Sequence, residues 1–436
     1  MTAPKSPAYV RTEMLPQASP PPSQQGLMKW LRENLFSSWV NAALTLASLF
    51  LIYAVLSHIL PWMVRGIWDA GSLTECRTIR DNLYGDGVSA ACWAVLGERW
   101  HQLLFGFYPQ ELYWRPIMAL IVFLTAVTPV LFNTLPRSIL WFTALSPFII
   151  FFLLWGGTLW GPIVVLFGFV IGWAILTYGS DSMGTLIATI AAIVAPILYW
   201  IFAAGALATS LNTLVPIGLV SVASDNFGGF MLSFVVGISG IILSLPLGIA
   251  LALGRQSNMF IINASTVFFI EVIRGVPLIV WLFTAYLLLN YFLPPGTEFD
   301  LMLRVVIMVT LFSSAYIAEV IRGGLAALPR GQYEGADSLG LTYGQSMRLI
   351  ILPQALKISI PGIVSTFIGL FKDTTLLLFI GLFDPLNVAS AVRASIEWNG
   401  VYWELFIFIG LCFFVCCYSM SQYSQYLERK LSTDHH

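Results

Sequence analysis

Residues 329 to 353 read Pro329-Arg330-Gly331-Gln332-Tyr333-Glu334-Gly335-Ala336-Asp337-Ser338-Leu339-Gly340-Leu341-Thr342-Tyr343-Gly344-Gln345-Ser346-Met347-Arg348-Leu349-Ile350-Ile351-Leu352-Pro353. Pro329 suits the first position of a helix and Gly340 the residue just past its end, so the stretch predicts a short helix over 329–339. A second start follows at once. Thr342-Tyr343-Gly344-Gln345 has the Ser/Thr-x-x-Gln form of a capping box, and the helix it opens is expected to stop at Pro353. The expectation is two short helices bent about Gly340. In the first, Glu334, Asp337 and Ser338 fall three or four apart and share a polar face, while Tyr333, Ala336 and Leu339 line an apolar one. Such a wedge suits a groove on a soluble partner. The alternative is an amphipathic hairpin on lipid headgroups, although the loop lacks the basic face and bulky anchors of one.

The rest of the chain places this wedge between membrane spans. The 436 residues hold 21 Lys plus Arg against 22 Asp plus Glu, a net charge of −1, so charge balance says nothing of partners. Hydrophobic residues make up 58% and charged ones 10%, where soluble domains run at about 45–50% and about 25%. So few charges cannot coat the exterior of a soluble protein. A soluble enzyme and a nucleic-acid binder are excluded, and an all-α membrane protein is expected. About ten stretches reach the roughly 20 apolar residues that a helix needs to span a bilayer. They lie near 40–61, 116–134, 139–155, 160–178, 185–206, 229–254, 264–293, 300–323, 358–382 and 402–424. Between Arg137 and Asp225 the only charged residue is Asp181.

An even number of spans puts both termini on one side. Lys5, Arg11, Lys29 and Arg32 at one end, with Arg429 and Lys430 at the other, make that side cytoplasmic by the positive-inside bias. Residues 3–22, crowded with Pro, Ser and Gln, read as a disordered tail. No cleavable signal precedes the first span, which is expected to remain as an anchor. Cys412, Cys416 and Cys417 lie in the last span as packing residues. Cys76 and Cys92 lie in the one long outside segment, 62–115, where an oxidising compartment would allow a disulfide.

Several chemistries have no residues to carry them. None of the five lysines follows a glycine, so there is no phosphate loop, and any nucleotide work belongs to another chain. Gly237-Ile238-Ser239-Gly240 matches the Gly-x-Ser-Gly of intramembrane serine proteases, but no histidine base is near it, and close helix packing explains it. No catalytic constellation and no His/Cys/carboxylate spacing for a metal is present.

Glu334-Gly335-Ala336, Gly340, Ile350 and Leu352-Pro353 stand at the spacing that marks the permease subunits of bacterial ABC importers, with Gly335 in place of the usual middle Ala. Glu271 to Pro277, Ala315 to Gly324, Gly331-Gln332 and Lys372-Asp373-Thr374-Thr375 resemble, in order, segments of the polar amino-acid uptake permeases, the histidine/glutamine/arginine permease family. The resemblance covers 225–427. The longer N-terminal part, with Cys76, Cys92 and Trp114-Arg115-Pro116, is similar to the larger permease subunit of broad-specificity L-amino-acid importers. It implies a type I ABC-importer permease core preceded by extra N-terminal helices, in a bacterial inner membrane. In that family the loop is a coupling helix that fits a cleft of the ATPase, which here would engage Glu334, Gly335, Ala336 and Gly340. The implied organisation is a tail at 1–39, a five-span extension at 40–224 with a periplasmic segment 62–115, a core at 225–427 with coupling loop 324–357, and a tail at 428–436. One core and one coupling loop per chain call for a second, related permease. An ATPase dimer carrying ATP and Mg, a periplasmic amino-acid-binding protein and membrane lipid complete the expected partners, with an L-amino acid as substrate. No cofactor is expected in this chain.

Charges inside spans need a separate reason, since each costs at least about 2.5 kcal/mol unless it meets a partner or water. Glu271 and Arg274 are three apart and can pair, as can Glu319 and Arg322, whereas the adjacent Lys372 and Asp373 point different ways. Gly275 and Pro277 are expected to free backbone groups in mid-membrane, an arrangement that transporters use to hold polar ligands. A zwitterionic amino acid needs an acceptor for its ammonium and donors for its carboxylate. Asp373 with Thr374 would supply the first, and amides near Gly275 and Val276 the second, although many relatives have Thr where this chain has Val276. Charge pairing for helix packing is the other reading of these residues. An ion-coupled secondary transporter is the alternative function. It predicts inverted repeats, yet the first five spans have no counterpart of the charged, Gly/Pro-broken second five.

Overall fold

The computed structural model describes residues 26–132, 135–288, 291 and 300–431. Residues 1–25 and 432–436 of the expected tails lie outside the described residues, as do 289, 290, 292 and 293 at the end of the span expected over 264–293. Gly26–Asn34 is a helix, so the stretch 1–39 is not a structureless tail throughout. Lys29 and Glu33 pair across one turn of it at 3.8 Å.

Two compact units emerge, one ending in Trp68 and including Arg77–Cys92, the other made of Asp69–Cys76 and everything from Trp93 onward. In the first, Trp39–Val64 is capped by Ser38, whose hydroxyl accepts from the Asn41 amide at 3.2 Å, and it buries none of its residues. At about 1.5 Å per residue its 26 residues exceed the ~30 Å of a bilayer core. Ile67 donates to the Ala91 carbonyl at 2.9 Å, closing this unit beyond the helix. Cys76 and Cys92 are each disulfide-bonded, whereas Cys412, Cys416 and Cys417 are free.

Among the described residues seven continuous helices are long and apolar enough to cross a membrane, and two bent pairs bring the number to nine. Leu140–Trp155 is a shorter apolar helix. Each of the ten expected spans falls on one of these, and the segment 62–115 holds only the short helices Leu73–Tyr84, Ala94–Phe105 and Gln110–Leu112 before Trp114–Leu131 begins. Three expectations need correction. The span expected to run through 185–206 bends by 54° between Ile187–Phe202 and Ala204–Leu214. The span expected over 264–293 turns by 101° between Phe260–Gly275 and Leu278–Leu288. Val276 is there in extended conformation, with φ −123 and ψ 134, because the ring of Pro277 disfavours helical geometry in the residue before it. Pro353, finally, does not stop a helix. It sits in the first turn of Leu352–Asp373, where a missing N–H is harmless, and the apolar path runs from Tyr343 to Ile380.

Gly229–Arg255 and Leu301–Ala326 form the most extensive helix pair of the second unit. They run in the same direction, because Gly240 lies against Val309 and, two turns on, Gly248 against Ile317. A Cβ on Gly240 would stand 2.9 Å from Val309 and 3.1 Å from Leu370, so glycine is what lets Leu352–Asp373 close on the same pair. The helix Ala94–Phe105 packs at the Gly229 end of this bundle through buried Ala94, Val95 and Leu103. There Gly106 bridges Phe227, Gly228 bridges Phe383, and the Gly229 amide donates to the Phe383 carbonyl at 2.7 Å. The N-terminal helices are tied on by polar contacts as well. Tyr108 donates to the Leu154 carbonyl at 2.8 Å, and Trp155 Nε1 to Ser224 at 2.9 Å. Arg115, 2% exposed, donates to the Val220 carbonyl at 2.7 Å beside the two-stranded pairing of Gly157–Thr158 with Gly218–Leu219.

Asp384 sits in the same junction, fully buried, and caps Pro385–Ala394 by accepting from the Leu386 and Asn387 amides at 3.2 and 3.0 Å. Burial outweighs those bonds and pushes its carboxyl up from 3.8 to about 6. A carboxyl raised in the folded state contributes stability below its unfolded value, and that stability is lost as pH rises through about 6. Asp384→Asn keeps an acceptor for the cap and removes the charge. Measured as melting temperature in detergent, the variant should gain on wild type between pH 4 and pH 7.5, with a ceiling of ~3 kcal/mol. A difference that does not vary with pH would show that the carboxyl does not titrate there.

Candidate functional site

The loop that follows Leu301–Ala326 folds as a helical hairpin. Its first helix, Arg330–Ser338, starts behind Pro329 and ends in a turn that only glycine accommodates well. The Gly340 amide donates to Asp337 at 2.9 Å and the Leu341 amide to Ala336 at 3.3 Å, with Gly340 left-handed at φ +69. Gln345 Oε1 then accepts from both the amide and the hydroxyl of Thr342 at 3.0 Å, closing the expected capping box. Tyr343–Ser346 passes into a π-helical turn, Met347–Ile351, ahead of Leu352. Gln354 staples the hairpin by donating to Gln332 at 2.9 Å.

Ala336 is the seat of this hairpin, 1% exposed, with Tyr333 packed against a buried cluster that includes Leu325, Leu328, Met347 and Ile351. Leu339, expected on that apolar face, is instead 75% exposed. It follows the last helical residue, so the helical spacing that places Ala336 no longer sets its direction. The outer surface therefore combines Glu334, Gly335, Asp337 and Ser338 with exposed Leu339, Tyr343 and Leu349. A Cβ on Gly335 would meet nothing within 4 Å.

Above the hairpin the charges group around one carboxylate. Glu319, 15% exposed, accepts from Arg255 Nη1 and from Arg322 Nε at 3.1 Å, and lies 3.7 Å from Arg274 Nη1. Glu271 is partnered by Arg255 at 3.0 Å, from the preceding helix, rather than by the expected Arg274. The Arg274 guanidinium instead lies over the Tyr316 ring at 5.3 Å and leaves its buried Nε without a hydrogen-bond acceptor. Arg255 was missed by sequence reasoning because it closes a span and reads as a loop residue. Its only sequence signal is a position one turn-length loop away from the helix that carries Glu271.

The residues expected to hold a ligand are only partly free to do so. At the 101° break nothing lies within 4 Å of a Cβ on Gly275, and the indole of Trp281 donates to the Ile273 carbonyl at 3.2 Å. Thr374 is buried and its hydroxyl is committed to the Phe371 carbonyl at 2.8 Å. Asp373 is half-buried and Lys372 exposed, and neither makes an ion pair among the described residues. The helix after the break, Leu278–Phe283, packs on the 3-10 turn Thr374–Ile380, with Leu278, Leu282, Leu377 and Ile380 in one buried cluster. Among the described residues no group of three or more His, Cys, Asp or Glu could hold a metal ion.

This arrangement has relatives. The profile of the family described as "Binding-protein-dependent transport system inner membrane component" matches residues 244–433. The chain is 55% identical over 429 residues to the "Glutamate/glutamine/aspartate/asparagine transport system permease protein BztC" of Rhodobacter capsulatus, covering 98% of this chain and 99% of that one. It is 36% identical over 407 residues to the "Inner membrane amino-acid ABC transporter permease protein YhdY" of Escherichia coli, 93% of each chain. A solved structure, "Crystal structure of an amino acid ABC transporter with histidines", is 32% identical over 46% of this chain and 91% of that chain, with a TM-score of 0.42. With a whole-length relative at 55% identity, the chain belongs to the family of binding-protein-dependent transport system inner membrane components.

Proposed function

We propose that the chain is the permease subunit of an ATP-driven L-amino-acid importer whose substrates include acidic amino acids and their amides. The observation that carries this reading is the hairpin, a seated helix whose outer acidic and apolar face is left uncovered. That face, with Glu334, Gly335 and Gly340 at its centre, is the contact for a separate ATPase, which supplies ATP and Mg, while Ala336, expected at the same contact, is buried and seats the helix from beneath. The permease is multi-pass in the inner membrane, with both termini and the hairpin in the cytoplasm. A second permease completes the pathway, and a periplasmic binding protein delivers substrate. The core is residues 225–427, and residues 40–224 are an extension to it.

The substrate site in this reading lies between the break at Gly275-Val276 and the Asp373-Thr374 corner. With the Thr374 hydroxyl held by its own helix, Asp373 is left as the acceptor for the ligand ammonium. The test is uptake and ATP hydrolysis by the complete complex in proteoliposomes, with Asp373→Asn alongside a variant whose ATPase lacks a working Walker motif. The dead ATPase should abolish uptake, since uptake that persists would mark an ion-coupled transporter. Asp373→Asn should lower substrate-stimulated hydrolysis at least fivefold, and unchanged stimulation would remove Asp373 from the site.

A further inference from the structure

The hairpin and the broken helix are tied to each other by Glu319. This residue lies on Leu301–Ala326, whose last turns carry Leu325 into the cluster beneath the hairpin. Ile317, Ala318 and Ile321 belong to the same buried cluster, so a displacement of the hairpin moves this end of the helix as a body. On the opposite side of that helix, Glu319 faces arginines of two other helices. Arg255 ends Gly229–Arg255, and Arg274 precedes the 101° turn by one residue. Three guanidiniums and two carboxylates leave the group with an excess positive charge, and among the described residues Glu319 is the one carboxylate within 4 Å of all three arginines. Without its charge, Arg255, Arg274 and Arg322 would repel one another with only the half-exposed Glu271 to hold Arg255.

We propose that Glu319 is a positioning residue for transport: it transmits displacement of the hairpin to the break at Gly275–Pro277 by holding Arg274 and Arg255 on its own helix. The proposal rests on the importer reading above. Packed side chains also join these helices, since Ile270 on the helix of Arg274 belongs to the same buried cluster as Ile317 and Ile321, but one turn further on, next to the break, the contact with Leu301–Ala326 is polar. There the ion pairs, with the Tyr316 ring under Arg274, are the connection.

The test uses the complete complex with its ATPase, second permease and binding protein in proteoliposomes. Glu319→Gln should lower the hydrolysis stimulated by loaded binding protein at least tenfold. The concentration of loaded binding protein that gives half-maximal stimulation should stay within twofold, because substrate capture is not altered. Arg274→Gln should reproduce this split, and Arg322→Gln, which removes only a pair within one helix, should stay within twofold of wild type. Stimulation within twofold of wild type for assembled Glu319→Gln overturns the proposal, and so does an Arg322→Gln defect as large as that of Glu319→Gln. Should Glu319→Gln not assemble, normal coupling in Arg274→Gln overturns it equally. A wild-type complex that does not respond to loaded binding protein removes the importer reading itself, so the two failures are distinguishable.

Discussion

Ala336→Asp should reduce ATP-driven uptake by more than tenfold, whereas Gly335→Ala, one position earlier, should leave it within twofold of wild type. Ala336 is almost fully buried on the seat of the hairpin. A carboxylate there has no partner and costs several kcal/mol, which a nine-residue helix held by one small contact face cannot absorb. The hairpin would lift from the cluster of Leu325, Leu328, Met347 and Ile351, and the exposed face would lose its fixed direction. At Gly335 the added methyl points into open space, and alanine favours the helix by about 1 kcal/mol. Uptake into proteoliposomes together with co-elution of the ATPase measures both variants. Uptake by Ala336→Asp near the wild-type rate would show that the seat is not needed, and a damaged Gly335→Ala would show that the partner ATPase approaches the backbone closely at that residue.

Gly228→Val should abolish assembly of the folded chain. The backbone at Gly228 is extended, with φ −163 and ψ −175, so any residue could adopt it. What forbids a side chain is space. A Cβ would lie 2.8 Å from the Gly106 Cα and 2.9 Å from the Phe383 carbonyl oxygen, and backbone on both sides cannot swing away as a side chain can. Separating these strands breaks the bridges of Gly106 with Phe227 and of Gly228 with Phe383, at a cost of about 3 kcal/mol or more. Size-exclusion profiles in mild detergent should show aggregate in place of the monodisperse peak. Gly410→Ala, where nothing lies within 4 Å, serves as the matched control and should elute as wild type does. A monodisperse Gly228→Val with an unchanged melting temperature would refute the close approach.

Local signals account for what was legible beforehand. The capping box at Thr342 and the turn at Gly340 each depend on neighbours within about four residues, and both are present in the structure, whereas Pro277 announced a disturbed backbone without the 101° turn that divides the expected span. Span positions were legible because the length of a bilayer is imposed on every one of them. Contacts between distant segments were not. Nothing near Glu319 announces Arg255, and nothing near Glu271 says that its partner lies on the previous helix. The Arg115 bond to Val220 joins positions 105 residues apart. Pro353 misled for a related reason: whether a proline ends a helix or begins the next depends on the π-turn before it, which no local rule supplies. Among the ligand candidates, residue type suggested Thr374, but only its hydrogen bond to Phe371 shows the hydroxyl to be spent.

The glycine crossing also sets an order in time. Gly106 cannot find its place until Phe227 and Gly228 have been made, and these in turn wait for Phe383. Roughly 280 residues separate the first of these from the last, which at ~5–20 residues per second is on the order of 14–55 s of synthesis. During that interval the helix Ala94–Phe105 has its buried face, Ala94, Val95 and Leu103, without its final cover. The N-terminal helices of this protein therefore enter the membrane well before they can be locked. A cell making it must shelter that face until the closing segment arrives.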